Sequence, residues 1–249
     1  MMKSFAPQSL YMLLVLLTAA TALPTVIAQE SATDEVPPPL TEYLGRRIAR
    51  TMHFTGADWL TRDRREVEEN TQAMIKALGV QPGQTVCDLG CGNGYHTLRL
   101  AELVGREGRV LAVDVQEEML DMLAERARRK GLMNIERIHG TVVDPKLPEG
   151  EIDLVLLVDV YHEFSHPEHM LRAVRKSLAE DGRVVLVEFR AEDPEVPIRP
   201  LHKMSRDQIL KEMTANGFAL VDEFNDLPWQ HMLFFGRSEA TGAPAVGSD

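Results

Sequence analysis

Apolar positions along this chain follow two rhythms. Short blocks at Thr85–Leu89, Arg109–Val113, Ile135–His139, Leu154–Val158 and Arg183–Glu188 are rich in Val, Leu and Ile and bounded by Gly, Pro or charged residues, the pattern of buried strands. Between them run longer segments with apolar residues at helical spacing, of which Thr97–Val104 is the first. Strand alternating with helix predicts an α/β fold built on a doubly wound, mostly parallel sheet. Two further strands, about Phe218–Phe224 and His231–Arg237, are separated by a segment too short for a crossover helix, so they pair antiparallel. The expectation is a seven-stranded sheet with an antiparallel terminal strand. Upstream, Tyr43–Met52 and Arg64–Leu78 show helical spacing, with His53–Leu60 as a loop between them. These form an expected N-terminal helical cap.

The chain ends read differently. Lys3 precedes the apolar run Leu10–Ala20, and small Ala28 stands before polar Gln29 and Glu30, which is the layout of a signal peptide over residues 1–28. Export to the periplasm or the outside is the expected localisation. The alternative is an uncleaved membrane anchor, although Pro24 interrupts the run. Residues 29–41, with Pro37, Pro38 and Pro39, read as a stiff linker, residues 42–237 as one folded domain, and residues 238–249 as a disordered tail rich in Ala, Gly and Ser.

Charge narrows the partners. A formal net charge of −11 disfavours nucleic acid, whose binding draws on clustered Lys and Arg. The local basic run Arg126–Lys130 and the mixed-charge run Arg62–Glu69 read as solvated helix faces. Two cysteines, Cys87 and Cys91, lie across one tight turn, where they read as small space-filling residues. Nothing in the sequence fixes an oligomeric state.

The densest signal is Val86-Cys87-Asp88-Leu89-Gly90-Cys91-Gly92-Asn93-Gly94-Tyr95, a strand that runs into a turn with glycine at every second position and then into a helix. Such a turn lets backbone approach a ligand closely, and the helix start presents free N–H groups. The G-x-G-x-G spacing differs from the G-x-G-x-x-G of dinucleotide folds. A second strand ends in Asp114, roughly 20 residues after the last loop glycine, where such folds place the acid that meets ribose hydroxyls. Together with Ile152–Glu163, these residues make the span from about Leu44 to Arg237 resemble the class I S-adenosylmethionine-dependent methyltransferases, which have a Rossmann-like sheet.

The resemblance implies S-adenosyl-L-methionine as cofactor and a small-molecule methyl acceptor. It implies that Asp88, Gly90, Cys91, Gly92, Asn93 and Gly94 face the methionine portion and Asp114 the ribose. Val115, Thr141, Val142 and Asp159 complete the expected cofactor set. Relatives often carry an acid where this chain has Thr141, and Asp144 stands too late to replace it. The adenine contact therefore falls to Thr141 or backbone.

Methyl transfer is an in-line displacement, so the protein aligns the acceptor, excludes water and, for a hydroxyl or acidic carbon, removes a proton. Topology brings His162, Glu163, Glu188, His202 and His231 to the cofactor side as catalytic candidates, and the proline-rich stretch Glu192–Lys203 to the cleft as a cover. His53, Phe54 and Trp59 are candidates for a pocket lining. No metal is assigned, because the spacing of these histidines and acids is scattered; only if they face one another do they suit a divalent ion. The rival functions are a protein methyltransferase and an exported cofactor-binding module without catalysis. Export also leaves the supply of a cytosolic cofactor unexplained.

Overall fold

The structure is a computed structural model that describes Met1 and residues 36–238. The expected signal peptide and most of the linker, and the tail from residue 239 on, lie outside the described residues. Among the described residues no helix is long and apolar enough to cross a membrane.

The expected strands form one sheet: β1 (Thr85–Leu89), β2 (Arg109–Asp114), β3 (Ile135–His139), β4 (Ile152–Val158), β5 (Leu178–Phe189), β6 (Phe218–Phe224) and β7 (Gln230–Arg237). Their order is β3-β2-β1-β4-β5-β7-β6, and only β7 runs against its neighbours. The order reverses between β1 and β4, the switch point where open α/β sheets bind ligands at strand carboxyl ends.

Alternation along each strand divides the core. In β2, Leu111 and Val113 face one side with α5 (Pro167–Ser177) and α6 (Arg206–Ala215), where Met170, Leu171, Val174, Ile209 and Met213 are buried. On the other face, Val110 packs with Met74, Leu100 and Val104 of α2 (Thr71–Ala77) and α3 (Thr97–Val104), while Ala112 meets Leu120 and Leu123 of α4 (Glu117–Lys130). Each such side chain contributes about 1.5–3 kcal/mol on full burial. Cys87 and Cys91 are both free and buried in these clusters, and burial pushes both thiols well up.

The N-terminal region departs from expectation. Tyr43–Met52 is not a helix: Glu42–Tyr43 pairs antiparallel with Arg46–Arg47 across Leu44 and Gly45, whose φ values of 47° and 94° make a tight hairpin turn of the kind that needs positive φ at both positions. Tertiary contacts override helical spacing here. Arg46 reaches Glu212 of α6 with two bonds of 2.7 and 2.9 Å and donates to the His162 carbonyl at 2.9 Å. His53–Leu60 is not an open loop; Phe54–Thr61 forms a 3-10 helix capped by His53. The predicted helix over 64–78 breaks into α1 (Arg65–Glu69) and α2 at Asn70, which takes φ 51° and caps α2 through its side chain. Arg62–Glu69 is not simply a solvated face either, since Arg65 and Glu69 are buried and paired at 2.8 Å.

Candidate active site

The carboxyl ends of β1, β2, β4 and β5, the segment after β3, and the N-terminal segment line a cavity of about 620 Å³. Small-molecule sites commonly fall between about 300 and 1,000 Å³. Residues 51–60 form one wall and Pro197–His202 another.

The glycine loop is shaped by its neighbours as well as by backbone conformation. Gly90 has φ 79°, and a Cβ there would sit 2.3 Å from Val160 Cγ2; at Gly92, φ 52°, it would sit 2.7 Å from Leu60 Cδ1. Both positions line the cavity, so side chains there would fill it or push the walls apart. Asp114 closes the loop from the end of β2: Gly92 N donates to Oδ2 and Gln116 N to Oδ1, each at 2.9 Å. Burial pushes the Asp114 carboxyl up, and those backbone donors hold it down. Gln116 also ties the N-terminal segment in place, donating to the Met52 carbonyl and accepting from Phe54 N.

Asp88 lies behind the loop, 2% exposed, with Thr97 Oγ1 donating to it at 2.6 Å. Burial, reinforced by Asp114, raises its carboxyl to about 6 despite that bond. Asp159 follows β4 in a left-handed conformation, φ 53°, and both its oxygens accept from Gln230 Nε2. Burial pushes Asp159 well up, and Glu69 and Glu188 push it further.

A second polar group stands on the same cavity wall. Glu188 Oε2 lies 2.6 Å from His162 Nδ1, while His162 N donates to Glu188 Oε1 at 3.3 Å. On the other side of the ring, His162 Nε2 lies 3.0 Å from His202 Nδ1 and 3.9 Å from Glu163 Oε1. Burial opposes charge on His162, but Glu188 outweighs it and the ring is shifted up. Burial raises Glu163 to about 7, against the pull of His162. His202 is shifted down by burial, then by His162 and Arg199.

A family model described as a methyltransferase domain matches residues 81–230, which carry every one of these strand ends. The chain belongs to the class I S-adenosylmethionine-dependent methyltransferases. Among curated relatives, the ubiquinone/menaquinone biosynthesis C-methyltransferase UbiE of Escherichia fergusonii is 31% identical over 116 residues, covering 46% of each chain. The match thus spans about half the length of that relative. A SAM-dependent methyltransferase from Aquifex aeolicus shares the fold with a TM-score of 0.70 at 22% identity, over 74% of this chain and 98% of that one. The [4+2]-cyclase SpnF shares it with a TM-score of 0.58 at 15% identity, over 68% and 81%.

Within this methyltransferase, Gly90, Gly92, Asp114, Val115, Thr141, Val142, Asp159, His162, Glu163 and His202 all line this cavity. Asp88, Cys91, Asn93, Gly94 and Glu188 are not on its lining and stand behind it. Asn93 is turned inward, donating to the Ala57 carbonyl and accepting from Arg126, so the basic run on α4 also braces the glycine loop. Thr141 spends its hydroxyl inside a turn, accepting from Asp144 N at 2.9 Å. His231 lies off the cavity lining, its Nε2 2.9 Å from Glu192 Oε2. Trp59 lines the cavity beneath the Arg62 guanidinium; His53 and Phe54 do not.

Several wall residues carried no signal in the sequence. Arg65 looked like one charge in an alternating run, yet it is buried on the cavity lining, held by Glu69, by the Leu60 carbonyl and against the Tyr95 ring. Met52, Met119 and Phe189 supply apolar surface from three separate segments.

Proposed function

We propose that this methyltransferase transfers the methyl group of S-adenosylmethionine to a small-molecule acceptor seated in the same cavity. The carrying observation is that Asp114, fixed by the Gly92 and Gln116 amides, lines the same cavity as the His162–His202–Glu163 group. When bound, the cofactor supplies a sulfonium methyl carbon open to attack. Its fit rests on the carboxylate at the end of β2, the glycine-lined wall and the cavity volume. Asp114 would accept from the ribose hydroxyls, with Val115, Thr141 and Val142 beside the base and Gly90 and Gly92 against the amino-acid portion.

The chain's own work is then orientation, exclusion of water and proton removal. Residues 51–60 and 197–202 wall the acceptor away from solvent, an arrangement that suits a small molecule better than a protein chain. Glu188 fixes the His162 ring, so that the His162, His202 and Glu163 group stands on the wall where an O–H, N–H or acidic C–H must lose its proton. The likeness to a C-methyltransferase favours a carbon made nucleophilic by ionisation of a neighbouring hydroxyl.

Calorimetric titration of the full chain with S-adenosylmethionine, S-adenosylhomocysteine and NAD tests the reading. Saturable binding of the first two is expected, weakened at least tenfold in Asp114→Ala, because each hydrogen bond to a charged group is worth about 1.5–3 kcal/mol. Failure of both to bind the wild-type chain would remove the proposal.

A further inference from the structure

We propose that His162 Nε2, His202 Nδ1 and Glu163 Oε1 form a site for one divalent transition-metal ion. The same three atoms are separated by 3.0 Å between the nitrogens and by 3.9 Å from each nitrogen to the oxygen. A triangle with those sides has a centre about 2.1 Å from every corner, which matches zinc–nitrogen and zinc–carboxylate bond lengths of about 2.0–2.2 Å. The three side chains therefore already stand around a point that a cation can occupy.

The donors and their supports agree with this. Two imidazoles and one carboxylate make the set used by catalytic zinc and related ions that keep positions open for water or substrate; magnesium and calcium prefer all-oxygen shells. His162 turns its other nitrogen to Glu188 at 2.6 Å, the carboxylate–histidine arrangement that orients a metal-binding ring and raises its basicity. Glu163 Oε1 is steadied by the Met52 N–H at 3.3 Å. His162 and Glu188 are buried, while Glu163 and His202 keep partial exposure on the cavity wall, so the open positions face the cavity.

The role of the ion rests on the methyl-transfer reading. An acceptor hydroxyl entering an open position has its O–H bond broken heterolytically, the electron pair staying on oxygen and the proton leaving to water. The acceptor class is accordingly a molecule with an ionisable oxygen at, or conjugated to, the atom that is methylated. The metal site itself stands on the geometry alone.

The test uses the full chain stripped with a chelator, then titrated with Zn²⁺ by calorimetry and with Co²⁺ by visible absorption. One equivalent of each, with cobalt bands showing nitrogen ligation, is expected. His202→Asn, at the partly exposed ligand, and His162→Ala should each lose at least 100-fold in affinity, Glu188→Gln should lose 10–100-fold, and His231→Gln should keep full affinity. Thermal unfolding and S-adenosylhomocysteine binding are followed in each variant, so that a folded His202→Asn chain decides the matter if His162→Ala unfolds. Absence of one-equivalent binding in the wild type, or undiminished binding in folded His202→Asn, overturns the site. Zinc binding in a chain that takes no S-adenosylhomocysteine keeps the site and removes its assigned role.

Discussion

Replacing Asp88 with Asn should make this protein more stable above neutral pH and a poorer binder of its cofactor. Asp88 is 2% exposed and its carboxyl stands at about 6 against an ordinary 3.8, raised first by burial and then by Asp114. Because its folded-state value is the higher one, the native chain holds the extra proton between about pH 4 and 6. The associated stability is complete below the unfolded value and lost as pH rises through 6. A displacement of about 2 units corresponds to up to about 3 kcal/mol of cost for the ionised form. Asn is isosteric, uncharged, and still accepts from Thr97 Oγ1. Urea unfolding at pH 4.5, 6 and 8 should therefore show Asp88→Asn gaining on the wild type as pH rises, at unchanged m. A variant less stable at pH 8, or a difference that does not change with pH, would refute the reasoning. The companion titration should show weaker S-adenosylmethionine binding, since a carboxylate kept at such a cost serves a positively charged ligand.

Two further substitutions probe the frame of the site. Gly90→Ala adds a Cβ 2.3 Å from Val160 at φ 79°, and should cost about 2–5 kcal/mol from positive-φ strain plus overpacking; Gly105→Ala, at φ 67° and ψ −168° with open space around it, should lose about 1–3 kcal/mol from backbone strain alone in the same unfolding assay. Arg46→Ala strands Glu212, which is fully buried and also bonded to Tyr161 and Gln208, and should cost about 3–5 kcal/mol; the double variant Arg46→Met/Glu212→Leu should recover part of that loss.

The sheet was legible because its signals are local. Each strand is a contiguous apolar block, and the G-x-G-x-G turn and Asp114 sit at fixed distances along it, so strand bounds came out within a few residues except at β5. That strand begins at Leu178 instead of Arg183, because residues 178–182 continue the pairing through a bulge that apolar spacing does not mark. The N-terminal region failed for the opposite reason. Its helical spacing in 43–52 is real but is outweighed by a turn at Leu44 and Gly45 and by Arg46 docking onto a glutamate 166 residues away. Arg65 was hidden because its burial depends on Tyr95, His96 and Leu60, none of which marks it in the sequence. The grouping of His162, Glu163, Glu188 and His202 followed from topology, but not their mutual distances, which are set by how the ends of β4 and β5 and the turn at Pro200–His202 come together.

Charge at those strand ends accounts for what the cavity favours. Asp114, Asp159 and Glu163 line it and Asp88 and Glu188 stand behind it, while Arg65, already engaged by Glu69, and Arg199 are the basic residues on its wall. Burial raises Asp88, Asp114, Asp159 and Glu163 alike, and for Asp88, Asp159 and Glu163 neighbouring carboxylates add to the rise. A cation bound beside acids crowded in this way favours their ionised forms, and its binding offsets the cost of bringing them together. The sheet alone carries no such preference, since one fold hosts many unrelated functions. The preference belongs to these side chains, and a ligand that brings both a sulfonium and an ammonium group would meet it at the glycine loop, as the proposed dication would at the histidine pair.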